Sequence, residues 1–172
     1  MSTHLGNGVA GQLPRHPNLI WAQLADDRLT AGLIADGHHL PADTFRAMLR
    51  AKGPGRAVLV SDTVALAGCA PGLYRQPVGE AVELTADGKV VLSGTPYLAG
   101  AAVPLAGAVP RAAAMAGIPL AGALALASDA PAALLGLKGL EPGAPADLIL
   151  FRAPEGAALE ILGCWVDGEK AA

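Results

Sequence analysis

The fold of this chain is decided by residues 28–63, "RLTAGLIADGHHLPADTFRAMLRAKGPGRAVLVSDT". Two mostly apolar segments, 28–36 and 56–63, flank a segment with helical spacing, 41–53. Neither apolar segment alternates strictly, which is typical of strands buried on both faces of a parallel sheet. The middle segment begins with Pro and Asp and stops at Gly53, which favours a helix. The order strand, helix, strand predicts a βαβ unit whose two strands pair directly and in parallel.

Polar groups follow both strands, and a histidine near the start of the chain is expected at a third strand end. These groups are His4, the cluster Asp36, Gly37, His38 and His39, and Asp62. Ligands of parallel barrels bind at the carboxyl ends of the strands. Imidazole and carboxylate groups there suit a zinc-type hydrolytic site, in which His binds the metal and Asp moves a proton. The alternative is structural, because an Asp before Thr can cap a turn and a lone His is more often structural than catalytic.

Composition excludes several classes of function. The chain of 172 residues has a net charge of -3 and only 3% aromatic residues, so neither a basic field nor base stacking indicates nucleic-acid binding. The start of the chain has no signal-peptide pattern. Residues 97–128 are long and almost uncharged, but they consist of Ala and Gly broken by three prolines, which predicts helices of a water-soluble protein instead of a membrane span. Cys69 and Cys164 lie far apart, which favours two free thiols in the cytoplasm over a disulfide.

The remaining segments predict elements of mixed type. A helix is predicted over 18–27, and a β-hairpin around Asp87-Gly88 within 76–94. Two Ala-rich helices are predicted over 104–116 and 119–135, and two further strands within 141–172. Two parallel strands and one helix cannot cover both faces of a sheet, which indicates part of a larger α/β fold.

Seven motifs together are similar to one known family. They are "THLGNGV" (3–9), "LPRHPN" (13–18), "LIADGHHLP" (33–41), "VLVSDTVALAG" (58–68), "GTPYLAGA" (94–101), "LEPGAPADLILF" (140–151) and "CWVDGE" (164–169). In this order and spacing they resemble the C-terminal half of the N-acetylglucosamine-6-phosphate deacetylases, in the amidohydrolase superfamily.

The resemblance implies an α/β fold, a metal-dependent hydrolase (β/α)8 barrel with a small β-sandwich. Residues 1–140 would then form the region of barrel strands 6–8, with the β-hairpin near 76–94 as an insertion. Residues 141–172 would form strands of the sandwich. The first five barrel strands would precede position 1 of this chain.

The resemblance also implies a role for each matching residue. His4 would be a metal ligand, and Asp62 the catalytic aspartate that takes a proton from water and returns it to the leaving amine. Arg15 would hold the sugar phosphate, and His39 would bind the substrate, whereas His38 falls at a variable position outside the pocket. The substrate-binding set would comprise Asn7, Gly8, Arg15, Asp36, Gly37 and His39, together with a loop of Leu98, Ala99 and Gly100 that closes over the sugar.

The resemblance implies a phosphorylated N-acetyl amino sugar as substrate, a divalent metal (zinc first) in the full-length protein, and a homodimer. Because a catalytic zinc needs about three protein ligands and this chain matches only one, we expect the 172-residue chain to be inactive alone and to retain no metal. One alternative is a truncated, non-catalytic relative that binds a phosphorylated ligand or a partner chain. Another is an unrelated small α/β hydrolase, which is disfavoured because no Ser or Cys occupies a nucleophile turn.

Overall fold

A computed structural model describes residues 1–53, 55–75, 79 and 81–171. The helices in this part of the chain are α1 (Leu19–Ala25), α2 (Ala42–Lys52), α3 (Leu105–Ala116), α4 (Leu120–Ala127) and α5 (Asp129–Leu134). The strands are β1 (Ala31–Ile34), β2 (Ala57–Val60), β3 (Gly72–Arg75), β4 (Ala81–Leu84), β5 (Lys89–Leu92), β6 (Leu98–Ala101), β7 (Leu148–Arg152), β8 (Glu160–Val166) and β9 (Glu169–Lys170). They form three sheets, in the orders β1-β2, β3-β4-β5-β6 and β7-β8-β9.

The predicted βαβ unit is confirmed. Strands β1 and β2 pair in parallel and in register, from Ala31 opposite Ala57 to Ile34 opposite Val60. On the other side of β1, Ser2 forms a parallel bridge with Ala31. The Ser2 N–H donates to the Thr30 carbonyl and the Ser2 carbonyl accepts from the Gly32 N–H, both at 2.8 Å. Three parallel segments therefore lie side by side. The described residues form no closed barrel, so the barrel remains an expectation from the resemblance.

The main hydrophobic core lies between the parallel strands and the helices α2, α3 and α4. Phe45 of α2 and Leu33 of β1 are fully buried, and Ala112 and Ala123 bring α3 and α4 close to the sheet. The small side chains of α3 and α4 allow this close approach. This core fixes the strand ends in place.

A buried lysine joins α2 to α1. Lys52 is fully buried, and its Nζ donates to the carbonyls of Gln23, at 3.0 Å, and Asp26, at 2.9 Å. These carbonyls are at the C-terminal end of α1, where a positive charge is favourable. The ammonium therefore has partners that compensate its burial.

Helix α3 contains Pro110, which has no N–H to donate to the carbonyl of Ala106 four residues earlier. That carbonyl accepts instead from the backbone N–H of Leu159, at 2.9 Å, just before β8. The helix ends at Gly117, whose φ of +68° is the left-handed conformation of a helix C-terminus. The proline thus connects α3 to the C-terminal sheet.

The prediction of one helix over 119–135 is wrong, because the structure has two helices. Helix α4 ends at Ala127, Ser128 follows with φ -127° and ψ -70°, and α5 begins at Asp129. Pro131 explains the break, because it cannot donate to the carbonyl of Ala127 and its ring disfavours a continuous helix.

The predicted β-hairpin around Asp87-Gly88 is confirmed as strands β4 and β5, but it is the centre of a larger sheet. Strand β3 pairs with β4, and β6 pairs with β5, so the antiparallel sheet extends from 72 to 101. Residues 76–78 and 80, within the predicted insertion, lie outside the described residues. Leu98, Ala99 and Gly100 were expected in a loop, and this expectation is wrong: they belong to β6, where pairing with β5 holds them extended.

The C-terminal strands are confirmed. Strands β7 and β8 pair antiparallel, and a turn at Asp167-Gly168 adds the short strand β9. Large apolar side chains remain exposed on this sheet, among them Leu150 at 54%. Both cysteines are free thiols. No helix in the described ranges is long and apolar enough to cross a bilayer.

Candidate active site

The register of the parallel strands brings Asp36 and Asp62 to one edge of the sheet. The last paired residues are Ile34 and Val60, and Asp36 and Asp62 each follow two residues later. His4 lies on the opposite side of β1, two residues after Ser2, which pairs with Ala31. Because Ala31 is five residues before Asp36, the register places His4 beside the middle of β1, before the level of the two aspartates.

Asp36 is buried and its carboxylate is fully hydrogen-bonded. One oxygen accepts the backbone N–H groups of His38, at 2.8 Å, and His39, at 2.9 Å, and the other contacts His39 Nδ1 at 2.7 Å. Burial alone raises the pKa of Asp36. The hydrogen bonds from the His39 ring and from the two backbone N–H groups, with the charge of His39, outweigh burial and lower the pKa to about 2. Asp36 is therefore an ionised acceptor at neutral pH.

The carboxylate of Asp36 fixes how His39 is oriented. An ionised carboxylate only accepts hydrogen bonds, so His39 Nδ1 carries the proton in the 2.7 Å contact. The side chain of His39 is 8% exposed. Its Nε2 makes no hydrogen bond to the described residues and is left to interact with a ligand.

Asp62 lies in a different environment from Asp36. It is exposed, and in the described part of the chain its carboxylate has no hydrogen-bond partner. Its φ is +51°, a conformation that is uncommon outside glycine and often found at functional sites. The backbone carbonyl of Asp62 accepts from Ala101 N–H at 3.3 Å, which fixes the main chain while the carboxylate remains free.

Strand β6 packs directly against the segment after Asp62. Thr63 forms a parallel bridge with Ala101, and Val64 N–H donates to the Ala101 carbonyl at 2.9 Å. A Cβ added to Gly100 would lie 2.4 Å from a Val64 methyl group, so only glycine fits there. The structure therefore places the end of β6, Gly100 and Ala101, beside residues 62–64.

The segment His4–Gly8 is a tight turn. His4 has a φ of +30°, and its carbonyl accepts from Asn7 N, at 2.9 Å, and from Asn7 Nδ2, at 3.3 Å. A Cβ at Gly8 would lie 3.2 Å from the His4 ring. The Nδ1 atom of His4 is buried and has no partner among the described residues. The turn thus brings Asn7 and Gly8 against His4.

The residues that the structure describes do not supply a complete metal centre. One buried, unpartnered imidazole nitrogen is suited to a ligand, but no group of three His, Cys, Asp or Glu in the described ranges could hold an ion. Catalytic zinc sites use about three protein ligands.

Arg15 is exposed on the segment before α1, and no contact within the described ranges joins its guanidinium to the strand-end residues. Gly37 lies at the strand end with a φ of +82°, which allows the tight turn between Asp36 and His38. The contacts of the described residues therefore form three groups, at 4–8, at 36–39 and at 62–64 with β6, and Arg15 belongs to none of them.

Two contacts of this site were not predicted. His38, expected outside the pocket, contacts the carbonyl of Asp87 through Nε2 at 3.0 Å and so connects the strand end to the β4–β5 hairpin. Arg111 of α3 donates through Nη1 to the backbone carbonyl of Asp36. One feature of the sequence could have indicated a role for Arg111, because it is the single charged residue within 97–128.

Comparisons with known proteins identify the family. The chain is 34% identical to a putative N-acetylgalactosamine-6-phosphate deacetylase of Escherichia coli K12 over 173 aligned positions, which cover 98% of both chains. The chain belongs to the amino-sugar 6-phosphate deacetylases. No protein-family model matches it.

Other deacetylases of this family are much longer than the chain. An N-acetylgalactosamine-6-phosphate deacetylase of E. coli O157:H7 is also 34% identical, but the chain spans only 44% of its length. Among solved structures, N-acetylglucosamine-6-phosphate deacetylase of Mycobacterium smegmatis matches with 30% identity and a TM-score of 0.86, over 99% of this chain and 45% of that one. The Pasteurella multocida deacetylase matches with 31% identity and a TM-score of 0.83, over 99% and 44%. The resemblance to part of these deacetylases is confirmed.

Proposed function

We propose that this chain supplies the strand-end part of an active site that removes the acetyl group from a phosphorylated N-acetyl amino sugar. The observation that carries the proposal is the contrast between two neighbouring carboxylates. Asp36 is buried and bonded to three N–H groups, whereas the carboxylate of Asp62 is exposed and free of partners among the described residues. Asp62 is thus suited to proton transfer and Asp36 to holding His39.

In the proposed reaction, Asp62 acts first as a base and then as an acid. Its carboxylate takes a proton from water as the water oxygen bonds to the acetyl carbon. It then gives this proton to the sugar nitrogen as the carbon–nitrogen bond breaks. The products are acetate and the free amino sugar phosphate, and Asp62 returns to its ionised form.

Four parts of the chain are proposed to bind the substrate. His39 Nε2 is presented to the ligand because Nδ1 is committed to Asp36. Arg15 has an exposed guanidinium, which can pair with a phosphate in a bidentate manner. The turn at Asn7 and Gly8 and the strand Leu98–Gly100 would flank the sugar. The solved complex of a mutant M. smegmatis deacetylase with N-acetyl-D-glucosamine-6-phosphate supports this substrate class.

The proposal is tested by measuring ligand binding to the chain by NMR titration. We expect N-acetylglucosamine-6-phosphate to bind and the unphosphorylated sugar to bind at least about tenfold more weakly, since a charge-assisted phosphate contact is lost. Arg15→Ala should remove that difference, and His39→Ala should weaken both ligands.

Arg28→Ala is the matched control, because Arg28 is also an exposed arginine but pairs with Asp26. It should leave both affinities unchanged. Equal affinity of the wild-type chain for the two sugars, or an Arg15→Ala chain that still distinguishes them, would contradict the proposed substrate class.

A further inference from the structure

A cation from a distant helix reaches the strand-end turn. Arg111, the one charged residue of α3, donates through Nη1 to the backbone carbonyl of Asp36. A Cβ built on Gly37 would lie 4.0 Å from the same nitrogen, so the guanidinium lies directly beside this turn. The contact joins residues that are 75 positions apart in the sequence.

The carbonyl of Asp36 has no other donor in the described part of the chain. Strand β1 ends at Ile34, so Asp36 lies beyond the last ladder pair, and no backbone N–H reaches its carbonyl. Asp36 is only 2% exposed. Buried carbonyls are almost always hydrogen-bonded, and Arg111 therefore supplies the bond that the sheet cannot supply.

Asp36 is hydrogen-bonded through its side-chain carboxylate and through its backbone carbonyl, and both groups are attached to the same Cα. Its carboxylate orients His39, and its carbonyl is held by Arg111. If the carbonyl were released, rotation of the Asp36 backbone would move the carboxylate and, with it, the imidazole. We infer that Arg111 is a positioning residue that holds Asp36 so that His39 presents Nε2 to the ligand. The inference rests on the proposed function only in assigning a ligand to His39.

Helix α3 does not depend on Arg111 for its own position. Arg46 of α2 donates through Nε to the Met115 carbonyl near the end of α3, at 3.1 Å, and Leu159 donates to Ala106 near its beginning. Loss of the Arg111 guanidinium should therefore disturb the Asp36 turn and leave the helix in place. Arg46 is the matched control, since it is also an arginine that connects α3 to the rest of the chain through a carbonyl.

The test measures the exchange rate of the His39 Nδ1 proton by ¹H and ¹⁵N NMR, in the 172-residue chain without ligand. The resonance is assigned by its loss in His39→Gln. We expect Arg111→Met to accelerate exchange about tenfold or more, because a hydrogen bond from a charged donor is lost. Arg111→Lys should restore a rate close to wild type. Arg46→Met should lower the melting temperature without changing this rate.

Two results would overturn the inference. One is an Arg111→Met rate within about twofold of wild type, which is less than the loss of a charged hydrogen bond should cause. The other is equal acceleration by Arg46→Met, which would indicate general loosening. If Arg111→Met does not fold, Arg111→Gln takes its place, and the same acceleration of His39 Nδ1 exchange is expected. A wild-type chain that fails to bind the sugar phosphate would contradict the proposed function, while the exchange rates would still decide the role of Arg111.

Discussion

At the scale of single residues, two aspartates in equivalent positions have opposite environments, one buried and hydrogen-bonded and one exposed. The sequence predicted that Asp36 and Asp62 both follow buried strands, because this depends only on the order of apolar and polar residues. It could not predict which carboxylate is free. That difference arises from the turn at His38 and His39, whose N–H groups fold back onto Asp36.

Asp62→Asn should abolish deacetylation in any assembly of this chain that releases acetate. An amide keeps the shape of the carboxylate but cannot accept and return the proton. General acid–base catalysis contributes about 10²–10⁴-fold, and we expect kcat to fall toward the upper end of this range while substrate affinity is retained. A variant within about tenfold of the wild-type kcat would exclude Asp62 as the base, since that loss is below the usual contribution of such a group.

Asp36 should make the stability of the chain depend on acid pH. Its pKa is lowered to about 2 in the folded chain, from an ordinary value of 3.8, so its ionised form stabilises the folded state above pH 3.8. This contribution is lost as pH falls through the folded pKa. It amounts to roughly 2 kcal/mol, since one pKa unit corresponds to about 1.4 kcal/mol.

Urea unfolding between pH 6 and pH 2 measures this dependence, and Asp36→Asn should flatten it. Asp87→Asn is the control, because Asp87 also has a pKa lowered to about 2, by hydrogen bonds from Lys89 and Thr85, but its carboxylate is exposed. Solvent screening makes such exposed pairs contribute little. An unchanged pH slope in Asp36→Asn would show that the buried pair with His39 does not stabilise the fold.

At the scale of elements, the sequence predicted whether a segment is a helix or a strand better than it predicted where each element begins and ends. The βαβ unit and the hairpin were correct because their apolar spacing and Asp-Gly turn are local signals. The break between α4 and α5 depends on Pro131, and the pairing of Leu98–Gly100 with β5 depends on distant residues. Tertiary pairing cannot be deduced from a short segment that also has the composition of a loop.

Gly100→Ala should displace β6 from the segment after Asp62. The added Cβ would overlap a Val64 methyl group at 2.4 Å, and φ at this position is +128°. We expect the free energy of unfolding to fall by about 2–3 kcal/mol, from backbone strain together with overpacking. Gly94→Ala, at φ +76° with nothing within 4 Å, should show strain alone.

The combination of Gly100→Ala with Val64→Ala separates the two causes. Removing the Val64 methyl groups should recover stability relative to the sum of the single changes, because the overlap disappears. Additive effects in denaturant unfolding would show that β6 does not press against Val64 in solution.

At the scale of the whole molecule, the chain has a well-packed hydrophobic core, but other large apolar side chains remain exposed to solvent. A groove of about 450 Å³ lies between α4, α5 and β7, and Leu140 and Ile149 line it. The sequence indicated part of a larger fold through its two-strand parallel unit. It could not show where the uncovered surface lies, because that depends on how the sheets pack against the helices.

The exposed surface predicts self-association. Large apolar patches and unpaired strand edges favour contacts between chains. We expect light scattering at micromolar concentration to show a dimer or larger assembly. A monodisperse monomer would contradict this expectation and would indicate that the chain tolerates its exposed leucines.

The chain alone should retain no stoichiometric zinc and release no acetate. The reason is that the described residues offer no group of three metal ligands around His4. Metal analysis after dialysis without chelator, with acetate release measured on the same sample, checks both. Near-equimolar zinc that is lost in His4→Ala would show that the chain completes a site by itself or by association.

The proline within α3 has a consequence for the order in which the protein forms during synthesis. Because Pro110 leaves the Ala106 carbonyl without its usual partner, that turn of the helix is completed only by the backbone of Leu159. A ribosome delivers residue 106 long before residue 159. The hydrogen bond that completes this turn of α3 therefore cannot form until residue 159 has left the exit tunnel, so the helix is finished later than its own residues are synthesised.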